Sequence, residues 1–189
     1  MSVFTPKSVS LKDGSAVLLR SPREDEAQAL IDYLKAVRAE TDGIMSDPDD
    51  QLPTLEEERQ WVHTGNQSDH GLHLLAEHEG QVIALSDILQ PKFTRQRHMA
   101  GLGISIRSLW CDRGLGSLMI NELVSWARSN SELEMLTLSV FADNPRAQAV
   151  YRKVGFQDDG LLPRRAKVDG KYRDMIVMSL WLKEAAVAS

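Results

Sequence analysis

Apolar positions along this chain alternate between a period of two and a period of three to four, and each switch marks a change of element. After the Asp13-Gly14 turn, Ala16 to Arg20 reads as a strand. Ser21-Pro22 then opens a helix: proline suits the first helical position, and Glu24, Asp25 and Glu26 suit the positive end of its dipole. Ala27, Leu30, Ile31, Leu34 and Val37 continue it at helical spacing. Residues 40–50 are acidic and turn-rich and predict a loop. Thr54 with Glu57 fits a capping box for a short helix carrying Trp61 and Val62. Leu72 to Glu77 and Gln81 to Leu89, split by Glu79-Gly80, predict a β-hairpin, followed by a basic loop from Pro91 to Arg97. Met99 to Ile106 is the next strand, with Leu102, Ile104 and Ile106 on one face. A helix from about Leu115 to Arg128 carries Leu118, Met119, Leu123 and Trp126, and Met135 to Phe141 alternates as a strand.

Asn144-Pro145 starts another helix, with a capping side chain followed by proline. Gly155 suits the left-handed position that ends it. Two strands close the pattern, Phe156 to Leu162 and Tyr172 to Leu182, around a tip at Asp169-Gly170. The order β-α-α-β-β-β-α-β-α-β-β predicts one α/β domain over residues 1–189, its core at about 11–182.

Composition narrows the function. The 189 residues are 42% hydrophobic and 26% charged, values of a chain that folds around a core. A net charge of −5 argues against a general nucleic-acid binder and accords with a cationic partner such as an amine. Cys111 is the single cysteine, so neither an internal disulfide nor a cysteine-based metal site is expected. The histidines show no metal-ligand spacing. No window nears the ~20 apolar residues of a membrane span, and the first residues lack a signal-peptide core. The expectation is a soluble protein of a reducing compartment, most simply the cytoplasm.

The chemistry concentrates in Trp110-Cys111-Asp112-Arg113-Gly114-Leu115-Gly116-Ser117, between a strand and a helix. Free N–H groups and the dipole of a helix start make an anion site there. It is not an ATPase-type phosphate loop, because no Lys-Ser/Thr follows the second glycine. It is not a Rossmann fingerprint either, because Met119 stands where the third glycine belongs.

Together with Asn144-Pro145-Arg146-Ala147, Tyr151 and Gly155-Phe156, this stretch resembles the GNAT acetyltransferases, in the spacing N-x-x-A-x-x-x-Y-x-x-x-G-F as well as in the strand and helix order. The family's loop usually opens with Gln or Arg; here Cys111 stands in that place, while Gly114, Gly116 and Arg113, whose side chain is a further source of charge for the anion, are kept. The resemblance implies a mixed, mostly antiparallel sheet of six to seven strands flanked by about four helices. It implies acetyl-CoA as co-substrate, no metal, and transfer of an acetyl group to a primary amine of a small molecule or peptide by direct attack. A non-catalytic acyl-CoA-binding module is the alternative, and dimers are common among similar proteins.

For the site, the resemblance implies a pyrophosphate cradle from the N–H groups of Asp112, Arg113, Gly114, Leu115, Gly116 and Ser117. It implies pantetheine contacts along the backbone of Ile104, Ser105 and Ile106, where the strand around Ser139-Val140 splays away. An N–H there would polarise the thioester carbonyl. Asn144 is a helix cap, either alone or together with a cofactor contact, and Lys153 is either a phosphate contact or a solvated lysine. Tyr151 is the expected general acid, since a phenol of pKa about 10 stays protonated at neutral pH. Many family members carry a glutamate base on the strand that here reads Met99 to Ile104, which has no acid. Glu40, Asp42 and His98 are the remaining candidates, and Glu40-Thr41-Asp42 either binds a cationic substrate or is a solvated acidic loop.

Overall fold

The computed structural model describes residues 3–183. Eight strands and four α-helices are present among them: β1 (Lys7–Ser10), β2 (Ala16–Arg20), α1 (Ala27–Glu40), α2 (Leu55–Gln67), β3 (Leu72–His78), β4 (Gln81–Leu89), β5 (Met99–Ile106), α3 (Leu115–Ser129), β6 (Met135–Phe141), α4 (Pro145–Val154), β7 (Gln157–Val168) and β8 (Lys171–Trp181). The strands form one sheet in the order β1-β2-β3-β4-β5-β6-β8-β7. Every neighbouring pair is antiparallel except β5 and β6, which the α3 crossover makes parallel. The expected α/β class and its mostly antiparallel sheet are therefore present, with one strand more than the sequence pattern predicts.

That extra strand is β1. Only Val9 among its four residues is strongly apolar, so it carries no period; it exists because Lys7–Ser10 pairs with Ala16–Leu19 as the rim of the sheet. The helix expected at Pro22 begins later. Glu24–Glu26 form a single 3-10 turn, and α1 proper starts at Ala27, because Glu26 folds back onto the Arg23 N–H at 2.9 Å. The last two strands turn tightly at Asp169-Gly170; β7 runs on to Val168, past the expected end at Leu162, while β8 keeps its expected length one residue earlier. His98, a candidate base, lies at the opposite end of β5 from the glycine turn, where its carbonyl accepts the N–H groups of Glu134 and Met135. No described helix is long and apolar enough to cross a membrane.

Two layers cover the sheet. α3 buries Leu115, Met119, Ile120, Leu123 and Val124 against Leu72, Leu74, Ile88, Leu102 and Leu136. α1 and α2 cover the other face, where Leu30, Val62 and Leu75 form a second cluster with Trp61 and Leu85. Strand alternation assigns the sides. Leu102, Ile104 and Ile106 share the α3 face with their partners Ile88, Ser86 and Ala84, while Gly103 and Ser105 share the α1 face with Asp87 and Leu85.

Candidate active site

The parallel ladder between β5 and β6 is short. It joins Met99, Ala100 and Gly101 to Met135, Leu136 and Thr137, and then stops. Beyond that point Leu102–Ile106 and Leu138–Phe141 diverge, leaving their facing backbones without a strand partner. β6 keeps its pairing with β8 as far as Phe141–Met175, so the split opens on one side only. A cavity of about 510 Å³ fills this split; Leu102–Ile106 line one wall and Ser139–Phe141 the other.

One mouth of the cavity is the start of α3. Gly114 is the N-cap with φ +89°, a conformation that L side chains rarely adopt, and a Cβ there would press on the Lys12 side chain. A Cβ on Gly116 would come within 3.2 Å of Ile106 Cδ1, so glycine lets the first turn lie close against β5. The helix has no side-chain cap, and its first internal acceptor, the Gly114 carbonyl, serves Leu118. The N–H groups of Leu115, Gly116 and Ser117 are the unsatisfied donors of that turn. These donors can hold a pyrophosphate, as the sequence predicts.

Charge around the loop is arranged differently from the expectation. Arg113 points away, its guanidinium 2.7 Å from Asp13 and over the Trp110 ring at 4.9 Å, so the loop receives only its backbone. Leu115 likewise buries its side chain in the core. The cations that line the cavity are Lys12, Arg146 and Lys153. Sequence reasoning missed the first two. Lys12 arrives because the β1–β2 turn docks on the loop, its N–H donating to the Arg113 carbonyl at 3.2 Å. Arg146 reaches across from α4 to lie 3.3 Å from Asp112 and 3.5 Å from Cys111 Sγ. A guanidinium therefore sits beside Cys111, where the usual loop would supply one from its own first position.

From α4, Asn144 caps the helix by accepting the Ala147 N–H at 3.1 Å and also lines the cavity. Tyr151 lines it too, 9% exposed, with its ring edge-on to Phe156. Burial pushes the phenol up to about 12, so it is protonated across the working range. On β5, Ser105 is held by Tyr33, which sequence reasoning also missed: the phenol lies 2.8 Å from both the Ser105 carbonyl and its hydroxyl.

The other mouth lies on the α1 face, under the loop that follows α1. Thr41, Gly43, Ile44 and Met45 line it. Glu40 is committed elsewhere: it accepts from Arg107 at 2.7 Å and from the Ser108 N–H at 2.8 Å, and the Arg107 hydrogen bond holds its carboxyl below the usual range. Asp42 is tied to Arg173, which bonds its carbonyl at 2.6 Å, grips Asp143 and stacks on Phe141. These pairs fasten the loop to β8 and to the turn before α4.

Beside Gly103, on the same face of the sheet, is an acid that the sequence pattern hides. Asp87 on β4 is paired across the sheet with Gly103, and its Oδ1 lies 2.5 Å from where a Gly103 Cβ would be. Burial pushes this carboxyl above the usual aspartate range, and the Gly103 and Asp87 N–H groups offset part of the rise. An acid amid the apolar run of β4 was the available signal. No group of three or more residues among those described could hold a metal.

Comparison with known proteins agrees with this architecture. Residues 29–156 match the model of the acetyltransferase (GNAT) family. The L-amino acid N-acetyltransferase AaaT of Escherichia coli strain K12 is 31% identical over 101 residues, 53% of this chain and 62% of that protein. The N-alpha-acetyltransferase RimI of Mycobacterium tuberculosis is 31% identical over 107 residues, 54% of this chain and 63% of that protein. The matched stretch thus spans a little under two thirds of each curated relative. A GNAT-family acetyltransferase from Streptococcus pneumoniae superposes with a TM-score of 0.84 at 31% identity, over 88% of this chain and 99% of that one. With residues 29–156, more than half of its length, matching that family's model, the chain belongs to the GNAT acetyltransferase family.

Proposed function

We propose that the protein is an acetyl-CoA-dependent N-acetyltransferase that acetylates a primary amine of a small molecule or peptide by direct attack on the thioester. The observation that carries this is the cavity itself. It runs from unsatisfied N–H donors at the α3 start, through the β5–β6 split, to a second mouth on the opposite face of the sheet, with Tyr151 in its wall. That is a passage for a long, phosphate-headed donor with its reactive end at the far side.

In this mechanism the pyrophosphate lies on the N–H groups of residues 112–117, flanked by Lys12, Arg146 and Lys153. The pantetheine arm takes the free edge of Ile104–Ile106, adding to the sheet as a peptide would. An N–H of that edge polarises the thioester carbonyl, and Asn144 borders the arm. The acceptor enters beside Thr41, Gly43, Ile44 and Met45, with Asp42 held off the cavity by Arg173. When the tetrahedral intermediate collapses, Tyr151 gives its proton to the departing thiolate. Of the named relatives one is an L-amino acid N-acetyltransferase and the other an N-alpha-acetyltransferase, so the acceptor panel begins with α-amines.

Titration calorimetry with acetyl-CoA, followed by release of free CoA thiol over L-amino acids, an alanyl-initiated peptide and spermidine, tests this. Binding plus turnover is expected. Binding without turnover on any amine would point to an acyl-CoA-binding module, and no binding would refute both.

A further inference from the structure

The β5 strand offers no acid, yet the attacking amine must lose a proton before its lone pair can reach the thioester. The structure places a carboxylate beside that strand from its neighbour. Gly103 is exposed although it lies in the middle of a central strand, because β6 has split away beside it and because it has no side chain. Ser139, on the facing stretch of β6, is exposed as well. Gly103 and Ser139 both line the cavity, so its floor on the α1 face is open. Asp87 is not itself in the cavity lining, but its carboxylate lies against Gly103, which is: Oδ1 is 2.5 Å and Oδ2 4.0 Å from the position a Gly103 Cβ would occupy.

The other residues of β4, β5 and β6 that face this side are not acids. On β4 they are Leu85 and Leu89, on β5 Gly101 and Ser105, and on β6 Thr137 and Phe141. On β3 the partner is His73, which burial keeps neutral and which stacks on Trp61 of α2. From α1 comes Tyr33, bound to Ser105, and α2 carries Glu58, whose own carboxyl burial raises. No described charged side chain forms an ion pair with Asp87, so its carboxylate is free to take a proton.

Resting on the transferase function above, we propose that Asp87 is the proton acceptor for the amine, supplied from β4 through the gap that Gly103 leaves in β5. Asp87 takes one proton from the acceptor ammonium. The nitrogen lone pair forms the C–N bond as the carbonyl pair moves to oxygen. Collapse breaks the C–S bond, and the thiolate takes the Tyr151 proton. A second nitrogen proton restores the Tyr151 phenol, and Asp87 releases its proton to solvent. The sum is ammonium plus acetyl-CoA giving amide, CoA thiol and one proton.

The test is Asp87→Asn, assayed with the fastest amine of the panel above, both substrates saturating, across pH 5.5 to 9.5. The expected kcat at pH 7 is about 100-fold below wild type, with acetyl-CoA affinity within twofold. The variant's kcat should climb about tenfold per pH unit where the wild type is flat, because its bound amine must deprotonate unaided. A rate within threefold and an unchanged profile would overturn the proposal. So would a parallel fall in rate and acetyl-CoA affinity, which marks a structural role. Should circular dichroism show Asp87→Asn unfolded, Asp87→Ala/Gly103→Asp returns the carboxylate to the same opening from β5; recovered turnover supports the proposal, and its failure to recover overturns it. A wild type that neither binds acetyl-CoA nor acetylates any amine would instead sink the transferase function, a result separable from these.

Discussion

The two faces of the sheet are built from different materials. Against α3 the contacts are almost wholly apolar: Leu72, Leu74, Ile88, Leu102, Met119 and Leu123, with Ser86 as a buried exception that donates to the Leu74 carbonyl. Against α1 and α2 the buried positions include Arg20, His73 and Glu58, with Tyr33 and the partly buried Asp87 beside them. The apolar face fixes the frame on which the α3 start is held. The polar face carries titratable groups, and burying them is favourable only when each is paired or neutral. Stability that depends on pH should therefore reside on one face and stability that does not on the other.

The largest effect is expected at Arg20. Its guanidinium is 6% exposed and bridges Glu26 and Glu77, the latter at 2.6 Å. Arg20→Ala leaves two carboxylates facing each other and should cost about 3–5 kcal/mol at pH 7. Burial raises the Glu26 carboxyl, but the Arg20 and Arg23 hydrogen bonds outweigh it and the net pKa is lowered. A lowered carboxyl stabilises the fold above its unfolded pKa and loses that contribution as pH falls through the folded value. Urea unfolding should thus show the Arg20→Ala penalty shrinking in acid. Leu123→Ala, on the apolar face, should cost about 2–5 kcal/mol with no such change. Equal pH responses in the two variants would break the contrast.

His73 sharpens it. Its ring is 1% exposed, neither nitrogen has a hydrogen-bond partner, and burial lowers its pKa to about 4. The unfolded chain binds a proton near pH 6.5 that the folded chain refuses. Stability is complete above 6.5 and declines as pH falls toward 4, by about 3 kcal/mol in all. His73→Phe, which keeps a flat ring against Trp61, should flatten that slope in urea titrations. A slope that persists would assign the acid sensitivity to the carboxylates held low in the fold, Glu26 and Glu40 among them.

At the cavity the expected effects are kinetic. Tyr151→Phe keeps the packing on Phe156 and removes only the donor. It should lower kcat about 100-fold, or about 2.7 kcal/mol, with acetyl-CoA affinity within twofold. An unaffected kcat across pH would remove Tyr151 from the mechanism.

What the sequence made legible follows the same division. The α3 start, the Asn144 cap, Tyr151 and the Gly155 stop are local features, each written within a few consecutive residues, and each stands where the pattern put it. So does the divergence beyond Gly101, which the resemblance implied. Features that depend on which strand lies beside which were not readable. Asp87 matters only because the register places it opposite a glycine, and Lys12 only because a turn some 100 residues away in sequence docks on the loop. Ion pairs were hidden for the same reason: Glu40 looked free for substrate until Arg107 met it, and Arg113 looked free for phosphate until Asp13 did.

The smallest effect tests whether charge lost from one place in the loop is supplied from another. Arg146 is held by an exposed ion pair to Asp112 and a long contact to Cys111 Sγ, and exposed pairs contribute little. Its guanidinium is therefore free to turn to a phosphate, where a charge-assisted hydrogen bond is stronger. Arg146→Ala should weaken acetyl-CoA binding about tenfold, or about 1.4 kcal/mol, and more at low salt than at high. Arg113→Ala, whose side chain already faces Asp13 and Trp110, should change affinity less than twofold. Calorimetry on both variants at two salt concentrations decides the matter: if Arg113 proves the more costly loss, the loop's own arginine must swing off Asp13 when the donor binds, and Arg146 is only a surface partner of Asp112.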